Sequence, residues 1–273
     1  ILDNFCNKVV IVTGGSGLIG RQVCEILHDA GAWIVNVSLD NINLPDIIDE
    51  YIIKDLTNFN DCKEILKDAD YVFALSGIKG SHSVTINKPS SFFVPMIQMN
   101  TNILEACRLN NIPKVVFSSS IGAYGNSPET VLREYDAYFD EPMDFYPGTA
   151  KRIAELQIKS YQLQYSLNNF AIVRLAACFG PGDSFDPNSS MVIPSIIYRL
   201  VHGECPLAIK TNGEEIRDFI YSKDAAEGII LAAFNGTNMY PMNLGSGIGY
   251  SIKELVQTFR KFINFDYEFG KEV

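Results

Sequence analysis

The sequence predicts an α/β fold built on a doubly wound parallel sheet, and two observations carry that prediction. Short β-branched runs alternate with segments whose apolar residues recur at helical spacing, and the first run stops at a glycine cluster that opens the first helix. Residues 8–13 (KVVIVT) read as a buried parallel strand, followed by a helix over 18–27 that Gly31 ends. Further strands are expected at 33–38, 51–53, 70–75, 114–120 and 170–175. The intervening helices fall at 60–67, at 93–109 with a start near Pro95, and at 150–167. After Ala176 the rhythm loosens into Gly180-Pro181-Gly182-Asp183, a polar loop, a helix over 193–201 and a strand-like 265–269. Residues 1–175 with about 212–235 are therefore assigned to a dinucleotide-binding domain. Residues 176–211 and 236–273 form a smaller, partly discontinuous C-terminal substrate region. That region is expected to be truncated, because the chain stops just after a strand-like segment. No internal repeat or low-complexity tract interrupts the pattern.

Composition excludes several classes. With 47% hydrophobic and 20% charged residues, the 273-residue chain has the make-up of a globular domain, not a disordered tail or a fibre. Its net charge of −10 has the wrong sign for a protein that tracks nucleic-acid phosphates, although a local basic pocket for a small anion is compatible with it. Six scattered cysteines, with no C-x-x-C and no histidine at ligand spacing, argue against a metal site or a disulfide framework and for a reducing cytoplasm. No apolar run reaches the ~18–20 residues of a membrane span, and no signal-peptide pattern is present.

The loop Thr13-Gly14-Gly15-Ser16-Gly17-Leu18-Ile19-Gly20 carries the first chemical signal. Between a strand and a helix, residues without a Cβ let the backbone approach a pyrophosphate, which the helix N-terminus attracts with its amides and dipole. A Rossmann-type cofactor site at Gly14, Ser16, Gly17, Leu18, Ile19 and Gly20 follows. Asp40, twenty residues after Gly20, is placed to meet a ribose 2′-hydroxyl, and no Arg or Lys lies between Val35 and Glu50 to pair with a 2′-phosphate. NAD is the expected cofactor.

The glycine loop, Asp55-Leu56, Ser118-Ser119-Ser120-Ile121-Gly122-Ala123-Tyr124-Gly125, Gly180-Pro181-Gly182 and Arg217-Asp218-Phe219 occur in that order. Together they resemble the extended short-chain dehydrogenase/reductase family, in its NAD-dependent nucleotide-sugar epimerase/dehydratase branch. The likeness runs from Lys8 to about Leu255. It implies that Asp55 meets the adenine amino group with Leu56 against the ring, and that Ala74 and Ser76 line the nicotinamide side, with Ser118 also among the cofactor residues. It implies further that Ser120 bonds the reacting sugar hydroxyl, that Lys151 holds the nicotinamide ribose, and that Arg217 grips the nucleotide diphosphate, as a planar cationic fork suits. A nucleotide-diphospho-sugar substrate and a homodimer joined through the 93–109 and 150–167 helices follow from the same likeness.

The sequence departs from the family in the phenol that serves as base. That phenol stands four residues before the lysine in the family, whereas Tyr146 precedes Lys151 by five and Pro147 takes the fourth place. On one helix five residues turn about 140°, pointing the two side chains apart. If Pro147 occupies the first helical position, Tyr146 lies outside the helix and is free to swing towards Ser120. The family's dehydratases carry an Asp-Glu pair directly after the catalytic hydroxyl residue, and its epimerase/reductases a cysteine two residues on; Ile121 and Gly122 stand here. Redox at one ring carbinol remains, most simply C4. The expected activity is a 4-epimerase, with a C4 dehydrogenase/ketoreductase or a catalytically weak cofactor-binding sensor or scaffold as the alternatives. His82, in the loop after the fourth strand, is a candidate substrate contact, and Arg199 and Lys210 are candidate phosphate contacts. His28 and His202 read as helix-surface residues.

Overall fold

The computed structural model describes residues 1–273 apart from 43, 45, 79–81, 126–130, 139, 188 and 273; at 82–84 and 272 the backbone alone is described. In chain order the elements are β1 (Val9–Thr13), α1 (Gly20–Asp29), β2 (Trp33–Ser38), β3 (Glu50–Ile53), α2 (Phe59–Ile65), β4 (Tyr71–Ala74), α3 (His82–Asn87), α4 (Pro89–Leu109), β5 (Lys114–Ser120) and α5 (Phe145–Tyr165). They continue with β6 (Phe170–Leu175), β7 (Ala177–Phe179), α6 (Val192–Val201), β8 (Leu207–Thr211), β9 (Ile216–Tyr221), α7 (Ser222–Asn235), β10 (Met242–Leu244), β11 (Gly249–Ser251), α8 (Ile252–Arg260) and β12 (Tyr267–Glu272).

Seven strands form one parallel sheet in the order β10-β6-β5-β4-β1-β2-β3. The chain winds outward from β1 to β3, then returns to the other side of β1 as β4. The crevice at the C-terminal ends of β1 and β4 is thus the point where the winding reverses, the usual ligand position in such sheets. Period-2 alternation divides the core. Val10 and Val12 of β1 pack with Val23 and Leu27 of α1 and Ile229 of α7, whereas Ile11 packs with Leu66, Ile103, Leu104 and Ile158 on the α2, α4 and α5 side. A third cluster, Ile196, Leu207, Ile209, Ile252, Val256 and Phe265, supports the smaller C-terminal part, where β8 pairs with β12 and β9 lies between β7 and β11.

The doubly wound parallel sheet stands as read from the sequence, with three differences. α4 starts at Pro89 and keeps Pro95 inside it. A proline in the first turn is pre-set for helix, and a second one shortly afterwards removes only one amide from the ladder. α5 starts at Phe145, well before the expected residue 150. The seventh strand, β10, comes from within the 236–273 stretch and pairs with β6, so the division expected at 236 runs through the large sheet.

The interior between α5, β5 and β6 holds an ion pair. Glu155 and Arg174 have fully buried side chains and meet at 2.7 Å. Glu155 Oε1 accepts from Ser119 Oγ (2.5 Å) and Arg174 Nε (2.9 Å), and Oε2 accepts from Tyr138 Oη (2.6 Å) and Arg174 Nη2. Arg174 Nη1 donates to Tyr124 Oη and to the Glu134 carbonyl. Tyr124 in turn donates to Asn243 Oδ1 on β10. Removing one partner strands the other charge in a dry interior. Glu155→Ala should therefore lower the unfolding free energy by about 3–5 kcal/mol, read from urea denaturation at neutral pH.

Candidate active site

The crevice is built first from Thr13. Its Oγ1 accepts from the amides of Leu75 and Ser76 (3.2 Å each) and donates to Ser76 Oγ at 3.0 Å, which staples the end of β4 to the start of the glycine loop. Gly14 then takes φ +74°, a left-handed conformation, with the site of an absent Cβ 3.1 Å from Ser76 Cα. A Cβ on Gly20 would lie 2.1 Å from the Gly14 carbonyl oxygen, so the first turn of α1 can press on the loop only with glycine there. The Gly15 amide donates to Asn36 Oδ1 (2.6 Å), and Ser16 Oγ lies 3.1 Å from Ser38 Oγ. No side chain caps α1, and although the Arg21 amide is bonded to the Gly17 carbonyl at 3.0 Å, the positive end of the helix faces the loop. This cradle fits a dinucleotide pyrophosphate.

Around the cradle, Ala74, the last residue of β4, pairs with Thr13, and Ser76, two residues on, lies against Gly14. Asp55 is exposed beyond β3, its Oδ1 accepting from the Thr57 amide, while Leu56 is buried in the core layer beneath. β2 ends at Ser38; Asp40 lies exposed two residues later, its amide bonded to Ser38 Oγ at 3.1 Å. The carboxylate expected at the end of the second strand thus stands just outside it, and a serine holds the strand's last position.

Ser120 closes β5 and caps the 3₁₀ turn Ile121–Ala123 by accepting from the Gly122 amide at 3.0 Å. Its hydroxyl proton is left to donate outward. Lys151 comes from α5, is buried, donates to the Ser118 carbonyl at 2.7 Å, and sits 4.8 Å from the centre of the Phe117 ring. The neighbouring Arg152 holds the turn after Ser120, donating to the carbonyls of Ala123 and Ala137. Ser118, Ser120 and Lys151 are therefore assembled at one place.

Tyr146 is not where a start at Pro147 would have put it. α5 begins at Phe145, so Tyr146 is already helical, and Pro147 falls inside the first turn. Helical geometry turns Tyr146 about 140° from Lys151. Its ring instead packs edgewise on Phe145 (5.0 Å between centroids) and on Phe93 of α4 (5.7 Å).

A second cavity, of about 310 Å³, opens in the C-terminal part between α6, β8 and β9. Apolar Met191, Val192, Ile196 and Phe219 line it, together with Lys210, Glu215 and Arg217. Arg217 is exposed on β9 with Nη1 bonded to the Ile216 carbonyl. Beside it, Asp218 accepts from the amides of Ser246 and Gly247 and from Ser246 Oγ, fixing the loop before β11. Arg199 also lines the cavity but is already held by Glu204. His82 opens α3, and its side chain lies outside the described residues. Among the described residues no group of His, Cys, Asp or Glu is arranged to hold a metal, and no helix is long and apolar enough to cross a membrane.

The reading from sequence missed Asn36 and the Glu155–Arg174 network. Asn36 and Arg174 did leave a signal, each a polar residue in the middle of an otherwise apolar strand (WIVNVS, FAIVRL).

Lys151 titrates unusually. Burial pulls it down to about 8, against the opposing pull of Glu155 one turn along α5. The folded value lies below the ordinary one near 10.4, so between these pH values the folded chain binds fewer protons than the unfolded one. The penalty for burying the cation is complete below pH 8 and fades as pH rises towards 10. Lys151→Met should raise the unfolding free energy of the cofactor-free protein by about 1–3 kcal/mol at pH 7. Denaturation at pH 7 and pH 9.5 should show that gain shrinking at the higher pH.

Comparison with known proteins agrees with this architecture. The chain is 26% identical over 270 residues to the GDP-L-colitose synthase of Yersinia pseudotuberculosis, covering 94% of this chain and 82% of that one. It is 29% identical over 295 residues to the UDP-glucose 4-epimerase of Bacillus subtilis, covering 97% and 83%. Among solved structures, the UDP-N-acetylglucosamine 4-epimerase from Methanobrevibacter ruminantium M1, in complex with UDP-N-acetylmuramic acid, superposes with a TM-score of 0.84 at 31% identity, over 98% of this chain and 86% of that one. Residues 10–245 match the NAD dependent epimerase/dehydratase family as a whole. With the glycine cradle, Ser120 and Lys151 in place along the same sheet, the chain belongs to that family of NAD-dependent nucleotide-sugar enzymes.

Proposed function

We propose that the chain is a 4-epimerase of a nucleotide-diphospho-sugar, working through a transient keto sugar. The observation that supports this most is the placing of buried Lys151, bonded to the Ser118 carbonyl at the end of β5 near Ser120, one strand across from the glycine cradle after β1. When bound, NAD supplies the hydride acceptor and donor. Gly14, Ser16, Gly17, Leu18, Ile19 and Gly20 would hold its pyrophosphate, Asp40 and Asp55 its adenosine end, and Ala74, Ser76, Ser118 and Lys151 its nicotinamide end. Ser120, whose oxygen is fixed by the Gly122 amide, donates to the sugar oxygen and orients the carbinol. The Lys151 ammonium, in a dry site, favours negative charge on the oxygen as its proton departs. The cavity beside Arg217 and Lys210 would take the nucleotide diphosphate, with the base or ribose against Met191, Val192 and Phe219.

Ile121 and Gly122 supply no acid/base pair after Ser120, which favours redox at a single carbon over elimination. Incubation with NAD and a panel of GDP-, UDP-, CDP- and dTDP-sugars should yield a stereoisomer, seen by proton NMR, without net NADH at 340 nm. Accumulating NADH with a keto sugar would instead establish a C4 dehydrogenase. No change in either would leave a cofactor-binding sensor.

The same reading includes a homodimer and a cytoplasmic location. α5 exposes Ile153, Leu156 and Leu163 on one stripe, and α4 beside it exposes Val94. All six cysteines are free thiols, in keeping with a reducing compartment. Sedimentation velocity should give a dimer for the wild type and a monomer for Leu156→Glu, with the far-UV spectrum unchanged.

A further inference from the structure

The turn of α5 that precedes Lys151 has no phenol on the face that presents it. Pro147 and Gly148 stand four and three residues before it, and Tyr146 is packed against Phe93 and Phe145. Under the redox function proposed above, on which this inference rests, the proton of the sugar hydroxyl needs an acceptor close to Ser120.

Asp144 lies there. It occupies the N-cap position of α5. Its backbone is clamped over the turn after Ser120: the Asp144 amide donates to the Gly122 carbonyl (3.4 Å), and the Gly148 amide donates to the Asp144 carbonyl (2.6 Å). The clamp is tight, since a Cβ on Gly148 would lie 2.0 Å from the Gly122 oxygen. Gly122 in turn is bare on the side that faces Asp144. The site of its absent Cβ is 3.1 Å from Asp144 Cβ, 3.3 Å from Ser120 Oγ and 3.7 Å from Asp144 Oδ2. Any side chain at 122 would crowd Asp144. With glycine, a small notch is left with the serine hydroxyl on one side and a carboxylate oxygen on the other.

We propose that Asp144 is the proton acceptor for the reacting carbinol, in the role that the sequence had suggested for Tyr146. As the carbinol O–H bond breaks, its proton passes to the Asp144 carboxylate, directly or through the Ser120 hydroxyl. The electron pair of the adjacent C–H bond leaves as hydride for the oxidised nicotinamide, and the carbon–oxygen double bond forms. In the reverse step the carboxylic acid returns the proton while hydride adds to carbon. A general base must lie within hydrogen-bond reach of the proton it takes, and a carbinol oxygen bonded to Ser120 beside the bare side of Gly122 would have the Asp144 carboxylate as its neighbour.

The test compares wild type, Asp144→Ala, Asp144→Asn and Tyr146→Phe. Each is measured for NAD binding by calorimetry and for turnover on the sugar panel, with and without added formate. Asp144→Ala should lose about 10²- to 10⁴-fold in turnover with KM and NAD affinity close to wild type, formate should restore part of that loss, and Tyr146→Phe should stay near the wild-type rate. Asp144→Asn, which keeps the shape, should show the same loss if Asp144→Ala folds poorly. Retained turnover in both Asp144 variants overturns the assignment and leaves the redox function standing. So does a large loss in Tyr146→Phe, or a loss at Asp144 that formate does not restore and that comes with weakened NAD binding. A wild type that binds NAD but converts no nucleotide-sugar overturns the proposed function, and this assignment with it.

Discussion

The Glu155–Arg174 ion pair is the constraint on which the half of the molecule that carries Ser120 and Lys151 depends. Two charges removed from water stay ionised only if nearly every donor and acceptor around them is satisfied. Here each carboxylate oxygen has two donors and the guanidinium reaches Tyr124 and the Glu134 carbonyl. Burial pushes the Glu155 carboxyl up, but the Arg174, Ser119 and Tyr138 hydrogen bonds outweigh it and hold it below the usual carboxylate range. The partners come from β5, α5, β6, the 3₁₀ turn Glu134–Tyr138 and, through Tyr124 and Asn243, β10. One network therefore sets the depth and rotation of α5 against the sheet.

That rotation places the chemistry. Glu155 lies one turn beyond Lys151 on α5, and Ser119 lies between Ser118 and Ser120 on β5. Fixing Glu155 to Ser119 therefore fixes Lys151 at the Ser118 carbonyl and brings the start of α5 over Gly122. A lysine held in so dry a place gives up part of its affinity for a proton, and its remaining charge acts on nearby oxygens with little screening. The crevice between β1 and β4 is built by an independent device, the Thr13 staple and the glycine contacts, so the glycine cradle and the Ser120–Lys151 side meet across β4 without sharing a residue. Farther out, Asp218 ties the loop before β11 next to Arg217, which gives the second cavity a settled wall.

Much of this was legible in the chain because it depends on local periodicity. The β-branched runs, the glycines of the 13–20 loop and the polar end of β5 each report their structure within a few residues, and six of the seven strands of the sheet lie within one residue of the bounds read from sequence. The errors fall where distant residues decide. β10 is three residues long and is a strand only because β6 offers it an edge. α5 starts at Phe145, with Pro147 within its first turn, because Gly148 seats that turn on the Gly122 carbonyl.

By itself the sequence determined the doubly wound sheet, the glycine turn after β1, and the positions of Ser120 at a strand end and Lys151 on a helix, since strand ends and glycine turns are fixed by the backbone preferences of neighbouring residues. Tertiary structure decided which way α5 faces, that Tyr146 packs against α4, and that Asp144 sits over the bare side of Gly122. These are matters of rotation and close approach between segments far apart along the chain, and they follow from packing around a buried ion pair whose two charges lie nineteen residues apart and on different elements.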